Sequence, residues 1–124
     1  MKKLALVILM VTLLLSACAP ETNNNSSGKL NVVATIGMIA DIARVVGGEH
    51  VEVDGLMGPG VDPHLYKASE GDVQALQEAE VIFYNGLHLE AQMGGVIERM
   101  GDSQITTVEV TDKIDRTLLS APPE

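Results

Sequence analysis

From Leu30 onward the chain alternates short β-branched runs with stretches whose apolar positions fall three and four residues apart. Val32, Val33, Ala34, Thr35 and Ile36 form a continuous run that predicts a buried strand, closed by Gly37. Met38, Ile39, Ile42, Val45 and Val46 then recur at helical spacing with Asp41 and Arg44 opposite, which predicts an amphipathic helix stopped by Gly47 and Gly48. His50 to Met57 sets Val51, Val53 and Leu56 among polar residues, the alternation of an edge strand with one wet face. Ser69 to Asp72 has the form of a capping box and opens a helix through Val73, Leu76 and Ala79. Val81 to Tyr84 reads as a buried third strand. Leu89 to Met100 reads as a third helix, with Met93, Val96, Ile97 and Met100 on one stripe, and Ile105 to Val110 as a fourth strand. The order is βαβαβαβ. Strands alternating with helices of this length need right-handed crossovers, so the predicted fold class is α/β, an open parallel sheet of about four strands covered on both faces.

The first residues follow a different pattern. An apolar run, Leu4 to Leu15, stands behind Lys2 and Lys3. It is well short of the roughly 20 residues a membrane-spanning helix requires and has the charge and length of an export signal. Leu15, Ser16, Ala17 and Cys18 then have the form of a bacterial lipobox, in which small residues precede the thiol that takes the lipid. Ala19 to Lys29 contains no large apolar residue and is rich in Asn and Ser, so it cannot bury enough surface to offset its chain entropy. As a coil it would average roughly 18–20 Å end to end, the reach of a tether. The predicted organisation is a signal peptide at 1–17, a lipidated Cys18 and flexible tether over 18–29, and one α/β lobe over 30–124.

Composition sharpens this picture once the leader is set aside, because the 46% hydrophobic content of the whole chain overstates that of the lobe. The net charge is −9, and removal of Lys2 and Lys3 with the signal leaves the exported part more acidic still. Such a balance excludes nucleic acid, whose phosphates require Lys and Arg clusters that are absent here. It also excludes a basic membrane-binding patch, so membrane residence must come from acyl chains on Cys18. With one cysteine in the chain no intramolecular disulfide can form.

In an open parallel sheet, ligands bind beyond the carboxyl ends of the strands. Two loops at such ends carry a histidine. Gly58 to Tyr66 follows the second strand and is stiffened by Pro59 and Pro63, which would present His64 with little entropy left to lose on binding. A neutral imidazole is a common ligand of transition metals, and Asp62 could orient it; a loop histidine bonded to backbone is the alternative. Asn85 to Glu90 follows the third strand and holds His88 as a ligand or as a donor supporting one. Glu90 in this loop reads best as an acid in a first helical turn, favoured by the helix dipole. His50 reads as a solvated surface residue. The chain has no complete dinucleotide-binding glycine pattern, no GxSxG elbow and no HExxH helix, so an enzyme is not expected.

These motifs also carry a resemblance. VVATIGMIADIARVVGG, then GLMGPGVDPHLYKASEGDVQALQEAEVIFYNGLHLEAQM, resemble the N-terminal lobe of the zinc/manganese-type metal-binding lipoproteins of bacterial ABC importers, solute-binding protein family 9. The likeness runs over about residues 31 to 112. It implies a periplasmic-binding-protein-like fold in which two α/β lobes, joined by one long helix, hold a Zn, Mn or Fe ion between them through His and carboxylate ligands. His64 then matches the first metal ligand, Asp62 and His88 are supporting neighbours, and Cys18 carries the lipid. The implied partner is an ABC permease, and the implied location is the membrane surface facing the periplasm or cell exterior. The second Asp-Pro-His block of the family is expected soon after residue 124, so the sequence corresponds to the front lobe of such a receptor. One His and one Asp leave most of the roughly four positions around a transition ion to water, which opposes tight, selective binding. The rival readings are a surface adhesin-like lipoprotein and a truncated product without tight metal binding.

Overall fold

A computed structural model of the protein describes residues 28–119. The expected signal peptide, Cys18 and most of the tether lie outside the described residues. The elements are β1 (Leu30–Ile36), α1 (Gly37–Gly47), a 3-10 turn (Gly48–His50), β2 (Val51–Met57), α2 (Glu70–Glu78), β3 (Val81–Tyr84), α3 (Gly94–Asp102), β4 (Thr106–Glu109) and a second 3-10 turn (Arg116–Leu118). All strand pairs are parallel, in the order β2-β1-β3-β4, so the expected open α/β sheet is present. β1 is central and buried from Val32 to Ile36, whereas β2 is the edge its alternation predicts.

The register sorts the sheet into two faces. Val33 and Ile82 are paired, and they pack with Leu76 and Ala79 beside α2's end and with Met93, Ile97 and Met100 of the α3 segment. Ala34 lies on the other face, aligned with Gly55 of β2 and Phe83 of β3. Over Gly55 sits Ala40 of α1, close enough that a Cβ on Gly55 would come within 3.2 Å of it.

This packing overturns most of the expectation for α1. Of the stripe expected to be buried, Ile39 is partly buried against the core, but Met38, Ile42, Val45 and Val46 are 72%, 65%, 83% and 82% exposed, and Ala40 is the helix's buried residue. The reason is steric. The sheet-facing row is Gly37, Ala40, Arg44 and Gly47, which also satisfies helical spacing, and its small members let the helix lie close to β2. A side chain at Gly47 would collide with Val51, and the Arg44 guanidinium reaches down to donate to the Val53 carbonyl at 3.0 Å. With the small-residue row against the sheet, the large apolar row faces outward.

Two boundaries also differ. α3 begins at Gly94 rather than Leu89, because residues 87–93 run as successive turns, closed by Leu89 N–H to the Gly86 carbonyl and Met93 N–H to the Glu90 carbonyl. His50 belongs to the 3-10 turn and is exposed, as read. The Gly48 stop holds: it has φ 54°, and its N–H donates to the Arg44 carbonyl.

Two substitutions separate the faces of α1. Val45→Lys should change unfolding free energy by less than about 0.5 kcal/mol, and Ala40→Leu should destabilise by about 1–3 kcal/mol through overpacking against Gly55, both read from urea unfolding midpoints.

Candidate functional site

The loop after β2 is built from two successive proline turns. Gly58 to Val61 has Pro59 second and Gly60 third, with Gly60 at φ 83° and the Val61 N–H donating to the Gly58 carbonyl at 3.3 Å, the pattern of a type II turn. Asp62 to Leu65 repeats the arrangement with Pro63 second; the Leu65 N–H donates to the Asp62 carbonyl at 3.3 Å. The Asp62 carboxylate accepts from the His64 N–H at 2.9 Å, so this acid is partly engaged in holding the histidine's backbone. His64 and Leu65 stand exposed at the tip.

Tyr66 ties the far side of the loop to α2. Its hydroxyl donates to Asp72 Oδ2 at 2.8 Å and lies 3.4 Å from the Leu56 carbonyl. Burial, then the hydrogen bond to Asp72, push the Tyr66 hydroxyl up to about 12. The capping box is complete: Ser69 N–H donates to Asp72 Oδ2 at 2.7 Å and Asp72 N–H to Ser69 Oγ at 3.3 Å. Burial raises the Asp72 carboxyl, but the Ser69 and Tyr66 hydrogen bonds outweigh it and leave the group below the usual carboxylate range.

The second loop is organised by Glu90, and here the first-turn reading is corrected. Glu90 is four residues ahead of α3 and only 4% exposed. Its carboxylate accepts from Thr35 Oγ1 at 2.6 Å, Asn85 N–H at 2.7 Å and Gly86 N–H at 3.2 Å. Thr35 was the available signal: a hydroxyl in the middle of an apolar strand, 0% exposed, needs a partner. Gly86 is required twice over, by its positive φ and because a side chain there would collide with the Glu109 carboxylate.

His88 is exposed and lines a cavity of about 560 Å³ with Tyr84, Glu90, Glu109 and Arg116. Burial, then the charges of Glu109, Glu90 and Asp112, raise the Tyr84 hydroxyl, which marks this wall as negative. The His64 loop lines a different cavity, about 420 Å³, through Pro59, Val61 and Pro63, with Met38 and Leu89 on its other walls. His88 thus lines one cavity, while His64 stands exposed beside Pro63, outside the lining of the other, whose walls include Leu89 of the His88 loop. Among the described residues no group of three His, Cys, Asp or Glu side chains could hold a metal ion. His64 with Asp62 fits one corner of a coordination sphere.

Glu90→Ala should destabilise by about 3 kcal/mol or more, since it leaves Thr35, Asn85 and Gly86 donors without an acceptor, and chemical denaturation measures it. Asp72→Asn should cost about 1 kcal/mol at neutral pH. Because the folded pKa of Asp72 is depressed, its contribution is full above the ordinary value of 3.8 and is lost as pH falls through the folded value. The gap between wild type and Asp72→Asn in thermal unfolding should accordingly narrow as pH is lowered below 3.8.

Comparison with known proteins agrees with this geometry. The manganese-binding lipoprotein MntA of Bacillus subtilis is 47% identical over 98 residues, covering 78% of this chain and 32% of that protein. The zinc-binding protein TroA of Treponema pallidum is 51% identical over 89 residues, covering 72% and 29%. The solved periplasmic zinc-binding TroA superposes with a TM-score of 0.71 at 49% identity, over 76% of this chain and 34% of that one. The chain thus spans about a third of the length of the relatives it matches. These relatives are named for binding manganese and zinc. The family model for the zinc-uptake complex component A, periplasmic, matches residues 32–123, and the chain belongs to that family.

Proposed function

We propose that the protein is the front lobe of an exported solute-binding lipoprotein that captures a divalent Zn, Mn or Fe ion for an ABC importer. The observation that carries this reading is His64, presented by two consecutive proline turns at the carboxyl end of β2 in a chain of this family. A ligand held this way loses little conformational entropy on binding, so even a single imidazole is pre-organised. Asp62 fixes the loop and adds negative charge beside the ring, and His88 stands on the neighbouring loop. The acidic balance of the chain supports cation capture, since a net charge of −9 raises the local concentration of divalent ions.

The metal is cargo, and the permease of a metal importer is its recipient. Residues 1–17 act as the export signal, Cys18 takes the lipid, and the segment to residue 29 spaces the lobe from the bilayer. Membrane residence rests on that lipid, and no helix among the described residues is long and apolar enough to cross a membrane.

Equilibrium dialysis of the untagged protein against Zn(II) and Mn(II) tests the capture. His64→Ala should weaken binding at least about tenfold, the loss expected when a ligand is removed, and His50→Ala should leave it unchanged. No uptake by the wild type at millimolar metal would overturn the reading. In cells, labelled palmitate should enter the wild type and not Cys18→Ala.

A further inference from the structure

We propose that the bond between Asn85 and Gly86 is a latent site of spontaneous backbone modification, an asparagine placed to close a succinimide ring, which the hydrogen bonds of Glu90 and Thr111 hold shut. This is the only Asn-Gly pair in the chain. A glycine has no side chain to shield its nitrogen, so that nitrogen reaches the preceding side chain more readily than any other residue's does. In the reaction the Gly86 nitrogen bonds to Asn85 Cγ, the Cγ–Nδ2 bond breaks, and Nδ2 leaves as ammonia with the proton that the Gly86 nitrogen gives up. Water then opens the ring at either carbonyl and leaves aspartate or isoaspartate at position 85.

The fold both requires this pair and brings it part of the way. Gly86 has φ 80°, and a side chain there would collide with Glu109, so no other residue fits the position. Asn85 Nδ2 donates to the Gly86 carbonyl at 3.0 Å, so the side chain that would react already lies over Gly86.

The missing ingredient is rotational freedom. Ring closure must turn the peptide unit between the two residues and release its N–H, yet the polar groups around it are all engaged. The Asn85 N–H donates to Glu90 Oε1 at 2.7 Å and the Gly86 N–H to Glu90 Oε2 at 3.2 Å. The Asn85 carbonyl accepts from Thr111 Oγ1 at 2.6 Å, and the Gly86 carbonyl from the Leu89 N–H at 3.0 Å. Gly86 is buried, which keeps solvent base from its N–H. Turning the unit breaks several of these bonds together, so the reaction proceeds only from an opened loop. Isoaspartate then adds a methylene to the main chain and a carboxyl group to a loop already bordered by Glu90 and Glu109. With Gly86 displaced, the Glu90 bonds cannot re-form, and the loop that carries His88 stays open.

Peptide mapping for aspartate and isoaspartate at position 85 tests this on the full chain, incubated folded in mildly alkaline buffer beside a synthetic peptide of residues 81–90. The folded chain should react at least about tenfold more slowly than the peptide, as expected for a step gated by local opening. Glu90→Gln, which leaves a single acceptor oxygen, should speed the folded chain by about tenfold. Thr35→Val, which frees the Glu90 side chain and keeps the strand, should speed it in the same direction, and is read alone if Glu90→Gln does not fold. Ala40→Leu, which destabilises from the far side of the sheet, should leave the rate unchanged. Equal rates in peptide and folded chain overturn the proposal. So does a slower Glu90→Gln, because Glu90 would then be assisting loss of the Gly86 proton, and so does an Ala40→Leu chain as fast as Glu90→Gln, because global stability alone would then protect the site.

Discussion

A glutamate side chain is buried at the carboxyl end of the sheet, and the loop after β3 is held by its hydrogen bonds. Glu90, 4% exposed, accepts from the Thr35 hydroxyl at the end of β1 and from the Asn85 and Gly86 backbone after β3. Burying a polar side chain is costly unless its oxygens are bonded, and hydrogen bonds of 2.6–2.7 Å make the burial of Glu90 tolerable. Left-handed backbone costs a non-glycine residue roughly 1–2 kcal/mol, and Leu87 and His88 both adopt it. The Glu90 bonds fix the entry to that turn, which in turn delivers Leu89 to the wall shared with Pro59, Val61 and Pro63. The sheet end thereby reaches, through Leu89, the cavity that the His64 loop also lines.

The other constraint is the thinness of α1 on its sheet side. Gly37, Ala40 and Gly47 allow the helix to approach β2 until Ala40 nearly touches Gly55, and Arg44 satisfies an edge carbonyl that would otherwise face water. Close approach leaves no room for Met38, Ile42, Val45 and Val46 beneath the helix, so they form an apolar ridge outside it. At the amino end of that ridge Met38 also walls the cavity beside the His64 loop. One choice of helix face thus shapes both the core and the recess at the candidate site.

What could be read from sequence divides by range. The proline turns, the Gly48 stop and the Ser69–Asp72 capping box were legible because each is made within a few residues, and the parallel order followed from crossover lengths. The role of Glu90 was not, because its partner Thr35 is 55 positions away and an acid near a helix start has a sufficient local explanation. The orientation of α1 was not legible either. Its small and large rows share the same period, and only the glycine at position 55 of β2 decides which row fits. The rigid loop that carries His64 was legible from its two prolines, whereas which loops share a cavity depends on tertiary packing.

Rigidity and completeness are separate properties of a metal site, and in this chain they are separated physically. Rigidity resides in the loop itself: the Val61 and Leu65 turn bonds, the Asp62 cap on His64 and the Tyr66 link to Asp72 all close within residues 58–72. Together they hold the loop backbone from which the exposed His64 side chain projects. Completeness needs donors from elsewhere, since an ion bonded to one imidazole and water dissociates readily however well that imidazole is positioned. On the role proposed for His64, affinity would be governed by what else approaches that exposed tip.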